Sequence, residues 1–328
     1  MSAILLLVGV FSSITATQSI GVCYGVSGDN LPSRQEVVDL YKTNGISRMR
    51  IYYPDEEALQ ALRGSNIELI MDVAGETIQS LTNPDVAIDW VNTYVTPYSD
   101  VKFKYINVGN EVHPGDAVAQ YILTAMTNIQ NAISLTNLQG QIKVSTAIDG
   151  TLITNSYPPS NGAFTSDATT YITSIINFLA ENESPLLANV YPYFAYVNDL
   201  QNIDLAYAIF NQQGNNEIGY QNLFDAMLDS IYAALEKVGA SNLQIVVSES
   251  GWPSEGGTGA TTENADTYYA NLISHVSGTS GTPMRPGVSI ETFLFAMFDE
   301  NHKLGAETER HFGLFFPNKT SKYSLNFN

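Results

Sequence analysis

From residue 20 onward, short runs of β-branched and aromatic residues alternate with longer stretches in which apolar positions recur every three or four residues. The short runs read as buried strands and the longer stretches as amphipathic helices. Strands are predicted at 21–24, 48–52, 67–72, 103–111, 143–148, 187–191, 243–248 and 290–295. Helices are predicted from Arg34 to about Thr43, from Pro54-Asp55 through Leu62, from Pro84 to Val95 and from Asp116 to about Leu135. Three more follow at Tyr171–Leu179, Phe224–Lys237 and Asn264–Val276. Ser33 followed three residues later by Glu36 is a capping-box pattern, and Gly45 is the stop after it. Two stretches break the rhythm: the Ser-, Pro- and Asn-rich loop 150–167, and the span 192–222, rich in Tyr, Asn and Gln. A loop of the second kind in a compact domain is usually functional.

Eight strand patterns separated by helical ones predict an α/β fold, a single parallel (β/α)8 TIM barrel. The competing architecture, an open doubly wound sheet, loses its nucleotide-binding version because no G-x-G-x-x-G follows the first strand. Composition shows no break that would mark a second domain, and no fixed-period repeat is present.

Barrels of this kind place their chemistry at the carboxyl ends of the strands. Asn110 and Glu111 close the fourth strand, and Glu249 closes the seventh. Two carboxylates converging on one face without metal ligands suit cleavage of a glycosidic bond. One donates a proton to the leaving oxygen while the other, ionised, attacks or stabilises the sugar's cationic carbon. Strand-end glutamates also serve as salt-bridge partners or helix N-terminal anions, so spacing alone leaves both readings open. Tyr52, Tyr191, Tyr193 and Phe194, at or just past strand ends, are candidate platforms for the C–H faces of sugar rings, or core residues. Trp252 either joins them or packs beneath the loop.

Charge narrows the partners. Fourteen Lys and Arg against 33 Asp and Glu give a formal net charge of −19, which repels phosphate backbones and anionic membrane surfaces. No nucleic acid and no membrane partner are expected, whereas a neutral polysaccharide is compatible. The single cysteine, Cys23, permits no intrachain disulfide and reads as a buried small hydrophobe. The four histidines lack metal-ligand spacing, no P-loop is present, and Ser250 lacks the nucleophile-elbow context. His113 reads as loop structure, with modulation of Glu111 as the alternative.

Residues 1–19 contain no charge and carry an apolar run at 4–11 followed by small polar residues. They are expected to be a secretory signal peptide lacking its basic n-region, and are too short in apolar run to span a bilayer. The C-terminal residues are not a hydrophobic anchor signal. Two glycosylation sequons begin at Asn182 and Asn318, the first weakened by Pro185.

The local sequences around the two glutamates sharpen the picture. Val108-Gly109-Asn110-Glu111-Val112 and Val247-Ser248-Glu249-Ser250-Gly251-Trp252-Pro253 resemble the signature stretches of the plant β-1,3-glucanase family, glycoside hydrolase family 17. Residues 20–25, 48–53, 189–193, 295–303 and 312–315 are similar to it as well, so the resemblance spans residues 20–328. It implies a catalytic (β/α)8 domain there, with Glu111 as general acid/base and Glu249 as nucleophile of a double displacement with retention. It also implies a supporting cluster of Glu300, Lys303 and Glu309, an amide at Asn110 for the sugar 2-hydroxyl, and an aromatic contact from Phe315. Lys303 is expected either to hold Glu249 ionised or to order the site through Glu300.

The implied activity is endo-hydrolysis of β-1,3-glucans such as callose, laminarin and fungal wall glucan, a plant-defence role, by a monomer without cofactor or metal. The alternatives are a β-1,3-1,4-glucanase of the same family and a non-catalytic glucan-binding defence or storage barrel. The family's extra carbohydrate-binding module is not expected, because the chain stops too early to hold one. Low isoelectric point and the lack of a C-terminal propeptide point to the extracellular wall space rather than the vacuole.

Overall fold

The computed structural model describes residues 20–327. The expected signal peptide at 1–19 lies outside the described residues. Eight strands close into a parallel barrel: β1 (Gly21–Tyr24), β2 (Arg48–Ile51), β3 (Glu68–Asp72), β4 (Lys102–Asn110), β5 (Lys143–Asp149), β6 (Leu186–Asn189), β7 (Ile245–Ser250) and β8 (Thr292–Leu294). Neighbours in sequence are neighbours in space, and β8 closes on β1 with Gly21 opposite Phe293 and Val22 opposite Leu294. This is the predicted (β/α)8 barrel.

Alternation along the strands sorts the core into two layers. Cys23, Ile70, Tyr105, Leu187, Val246 and Phe293 fill the barrel interior. Val22, Met49, Leu69, Ile106, Val144 and Val247 point outward against the helices. The amino-terminal mouth is plugged by ion pairs, Arg48 to Glu68 at 2.7 Å and Lys104 to Glu291 at 3.0 Å. The chemistry is left the carboxyl-terminal mouth.

The helices are α1 (Arg34–Thr43), α2 (Glu56–Leu62), α3 (Pro84–Tyr94), α4 (Ile122–Ser134), α5 (Ser166–Glu181), α6 (Pro192–Asn198), α7 (Leu205–Ala208), α8 (Leu223–Lys237) and α9 (Thr262–Val276). Ser33 and Glu36 form the capping box that starts α1. Three expectations need correction. The helix predicted from Asp116 begins only at Ile122, because the Asp116 carboxylate accepts from the His113 amide at 2.7 Å and holds the preceding residues as a turn. Helix α5 starts earlier than Tyr171, because Thr165 caps it by accepting from the Ala168 amide, which turns an apparent polar loop into a first helical turn. The irregular span 192–222 contains the short helices α6 and α7, and the loop after β5 folds a two-stranded ribbon of Ile153–Thr154 with Ala163–Phe164.

Candidate active site

Glu111 follows the last residue of β4. The strand departs from regular pairing with β5 between Asn107 and Asn110. Gly109 sits at φ +88° and Glu111 at φ +54°. Gly109 is needed there, because a Cβ would also lie 2.7 Å from Ile122 Cδ1. A positive φ at Glu111 is local strain, held by the bond from its amide to the Ala147 carbonyl at 2.9 Å. The effect is to present Asn110 and Glu111 one after the other at the barrel mouth.

Glu249 lies within β7 and is 6% exposed. Its Oε1 accepts from Arg50 Nη1 at 2.9 Å and from the Tyr52 hydroxyl at 2.9 Å; its Oε2 accepts from the Tyr191 hydroxyl at 2.7 Å. These donors fix both carboxylate oxygens, and two of them belong to residues expected as sugar platforms. Tyr52 and Tyr191 thus turn their hydroxyls to the carboxylate rather than serving only as stacking faces.

The cation beside Glu249 is Arg50, not Lys303. Arg50 is fully buried in β2 and uses its whole fork. Nε and Nη2 bind Asp72 at 3.2 and 2.8 Å, Nη2 reaches Asn110 Oδ1 at 2.8 Å, and Nη1 reaches Asn189 Oδ1 at 3.3 Å and the Ser248 carbonyl at 3.2 Å. Asn189 in turn donates from Nδ2 to Asn110 Oδ1 at 3.0 Å and to Glu111 Oε1 at 2.8 Å. One continuous network therefore joins Glu111, Asn189, Arg50 and Glu249. Because Arg50 can only donate, the oxygen of Asn110 is committed to it, and the Asn110 amide NH₂ is the end left for a ligand.

Burial pushes the Glu111 carboxyl up to about 7, and the charge of Glu249 pushes in the same direction, as does Asp149; the Asn189 bond and Arg50 oppose them. A carboxyl of this kind holds its proton near neutral pH.

Glu300, Lys303 and Glu309 follow β8. Glu300 is buried and accepts from the Ser27 amide at 2.8 Å. Its room is provided by Gly25, where a Cβ would lie 2.4 Å from both carboxylate oxygens. Lys303 stands 4.0 Å from Glu300 and 3.9 Å from Glu309, and its ammonium lies 3.9 Å from the Phe295 ring centroid. Burial raises the Glu309 carboxyl against the pull of Lys303, and Glu249 and Glu300 add to the rise.

Above the buried Arg50–Asp72 pair, the carboxyl groups and their amide and phenol partners line one groove of about 1500 Å³. It runs from Tyr24, Ser27 and Tyr53 on one side, past Asn110, Glu111 and Glu249, to Tyr157, Asn202 and Tyr207 on the other. Glu111, Glu249, Tyr52, Asn110, Tyr191, Glu300, Lys303 and Glu309 are brought together there. Phe315 is not. It is 3% exposed in the core, bridged to Phe298 and Ser321, and Phe295 and Phe312 take the aromatic positions in the wall. Tyr193 is also core, packed edge-on against Trp252, whose indole N–H donates to the Gly259 carbonyl. Among the described residues, no cluster suited to a metal ion occurs.

Sequence reading missed Arg50, Asp72 and Asn189 as site residues. A signal for the first was present: an arginine in the middle of a buried strand requires an anionic partner.

A family model, glycosyl hydrolases family 17, matches residues 20–327. A Glucan endo-1,3-beta-glucosidase of Vitis vinifera is 58% identical over 336 residues, covering 99% of this chain and 97% of the relative. A Glucan endo-1,3-beta-glucosidase of Glycine max is 71% identical over 253 residues, covering 76% of this chain and 98% of that protein. Among solved structures, CJP38, a beta-1,3-glucanase and allergen of Cryptomeria japonica pollen, superposes with a TM-score of 0.91 at 46% identity, covering 94% of this chain and 99% of that one.

Proposed function

The chain belongs to glycosyl hydrolases family 17, and we propose that it cuts internal β-1,3-glucosidic linkages of β-1,3-glucans with retention of configuration, using Glu111 as general acid/base and Glu249 as nucleophile. The observation that carries this is the network that ties the two carboxyl groups through Asn189 and Arg50 while giving them opposite surroundings. Glu249 faces a guanidinium and two phenolic hydroxyls, an environment that orients an attacking carboxylate. Glu111 is half-buried beside two anions, which together favour its protonated form.

In the first step the protonated Glu111 gives its proton to the glycosidic oxygen as that bond breaks. Glu249 forms a bond to the anomeric carbon, and the aglycone leaves as an alcohol. Once Glu249 is an ester its negative charge is gone, so one influence holding the proton on Glu111 disappears. Glu111 then accepts a proton from water, the water oxygen attacks the anomeric carbon, and Glu249 departs as a carboxylate. The free amide NH₂ of Asn110 is placed to donate to the sugar 2-hydroxyl. A groove continuing on both sides of the carboxyl pair suits a cut inside a polymer.

The expected partners are callose and the glucans of fungal walls, met by a monomer in the extracellular wall space; mature protein beginning near Ile20 in that fraction would support this placement, and retention in the vacuole would count against it. Glu249→Gln is expected to abolish turnover while leaving laminari-oligosaccharide binding within a few fold. An unchanged rate would remove Glu249 from the mechanism. Laminarin is expected to be cut much faster than mixed-linkage barley glucan; the reverse order would make the enzyme a β-1,3-1,4-glucanase.

A further inference from the structure

Asp149 ends β5 next to Glu111, whose amide bonds the Ala147 carbonyl two residues earlier on that strand. The Asp149 carboxylate is not left to act on Glu111 alone. Its Oδ1 accepts from the Thr151 amide at 2.8 Å and the Thr151 hydroxyl at 2.5 Å, and its Oδ2 meets His113 Nε2 at 3.1 Å. The same Nε2 lies 2.9 Å from Thr151 Oγ1. A carboxylate accepts and never donates, so Nε2 carries the hydrogen in this arrangement. His113 sits two residues after Glu111, and its own amide donates to Asp116 Oδ2 at 2.7 Å, with Nδ1 3.7 Å from the same oxygen. The loop that begins with Glu111 is thereby clasped to the end of the neighbouring strand.

The charged groups that act most strongly on Glu111 are Glu249 from β7, Asp149 from β5 and Arg50 from β2, with the neutral Asn189 of β6 bonded to it. Glu300, Lys303 and Glu309 line the same groove. His113 is faced by Asp116 from its own loop and Asp149 from β5. While Glu249 is bound to the sugar it carries no charge, and Asp149 is then the remaining anion of this set.

We propose that His113 is a positioning residue for the acid/base step: by donating to Asp149 it draws that charge away from Glu111 and sets how strongly Asp149 acts on it. This rests on Glu111 being the acid/base. The test is the pH profile of kcat/KM on laminarin for the full chain and for His113→Leu, His113→Gln, Asp149→Asn and the double variant His113→Leu/Asp149→Asn. Glu111→Ala is measured alongside, with azide and an activated aryl laminaribioside. His113→Leu is expected to move the basic limb up by about half a unit to one unit, a threefold to tenfold gain on that limb. Asp149→Asn should move it down, the double variant should follow Asp149→Asn, and His113→Gln, which keeps a donor, should stay near the parent. Limbs that do not move, or single variants that move the same way, overturn the proposal even if Tm or kcat falls. The glutamine and asparagine variants are close in shape to the parent side chains and keep the test open should the leucine variant fold poorly. Glu111→Ala should lose the limb and regain turnover with azide; if it does so while the other limbs stay put, only the role of His113 fails. An unimpaired Glu111→Ala overturns both assignments.

Discussion

Replacing Arg50 by methionine should damage stability and activity by separate routes. The guanidinium is fully buried and bonds Asp72, Glu249, Asn110, Asn189 and the Ser248 carbonyl. A methionine of similar length fills the space but leaves the Asp72 and Glu249 carboxylates facing each other without a cation. Removing one partner of a buried ion pair costs about 3–5 kcal/mol. For a chain of this size that is a fall in Tm of roughly 5–8 °C, read by differential scanning calorimetry. The kinetic loss arises because Glu249 loses an orienting donor and the two amides lose their shared anchor. A misplacement on the order of 1 Å in such a site costs about 10²-fold, so laminarin hydrolysis should fall by at least about 10²-fold in kcat/KM. Arg50→Lys keeps the charge, but one ammonium cannot span five partners. It should regain part of the Tm while staying at least about tenfold down in rate. An Arg50→Met protein that folds and keeps its rate within threefold of the parent would refute the claim that this network holds the site.

Protonation of Glu111, pushed up to about 7 from the usual 4.5, should appear as a basic limb of kcat/KM near neutral pH. It should also appear in stability. A carboxyl whose folded value is raised contributes stability fully below about 4.5 and loses it as pH rises through about 7. Glu111→Gln should thus melt higher than the parent at pH 8, with little difference at pH 4. Gly25→Ala would drive a methyl group into the Glu300 carboxylate and break its bond to the Ser27 amide. It should lower laminarin turnover by about tenfold or more for a modest loss of stability, about 1–3 kcal/mol; an unchanged rate would make Glu300 dispensable. If the protein is secreted, Asn318 should be glycosylated and Asn182 not. Asn318 stands exposed in a turn, whereas Asn182 caps α5 through a 2.8 Å bond from Nδ2 to the Phe178 carbonyl, and Ser184 is buried. Enzymatic deglycosylation with mass spectrometry would check this.

The barrel was legible because its signals are local. Strand patterns such as 143–148 and 243–248 are short runs rich in β-branched residues, Val144, Thr146 and Ile148 in one and Ile245, Val246 and Val247 in the other, set between helical stretches. Helix α1 announces its start through Ser33 and Glu36. The two glutamates were legible for the same reason, each standing at the carboxyl-terminal part of such a run, Glu111 just after β4 and Glu249 one residue before the end of β7. What escaped was long-range. Arg50 and Glu249 are separated by 199 positions, and no local pattern says which cation will face which carboxylate. Lys303, nearer in sequence to Glu249, was the natural guess, but it is engaged with Glu300, Glu309 and the Phe295 ring instead. Phe315 and Phe312 differ by one strand-like alternation, and side-chain direction there depends on how the C-terminal segment closes the barrel. The role of Tyr52 and Tyr191 was ambiguous because a tyrosine offers both a ring and a hydroxyl, and only the position of Glu249 decides between them.

The central claim is that Glu249 attacks the sugar and Glu111 serves as acid and then base, two inversions in sequence. The most direct measurement is time-resolved proton NMR of the reducing ends released from laminarin in the first minutes of the reaction. The β-anomer should appear first, with the α-anomer growing in only as mutarotation proceeds. Release of the α-anomer first would contradict the account.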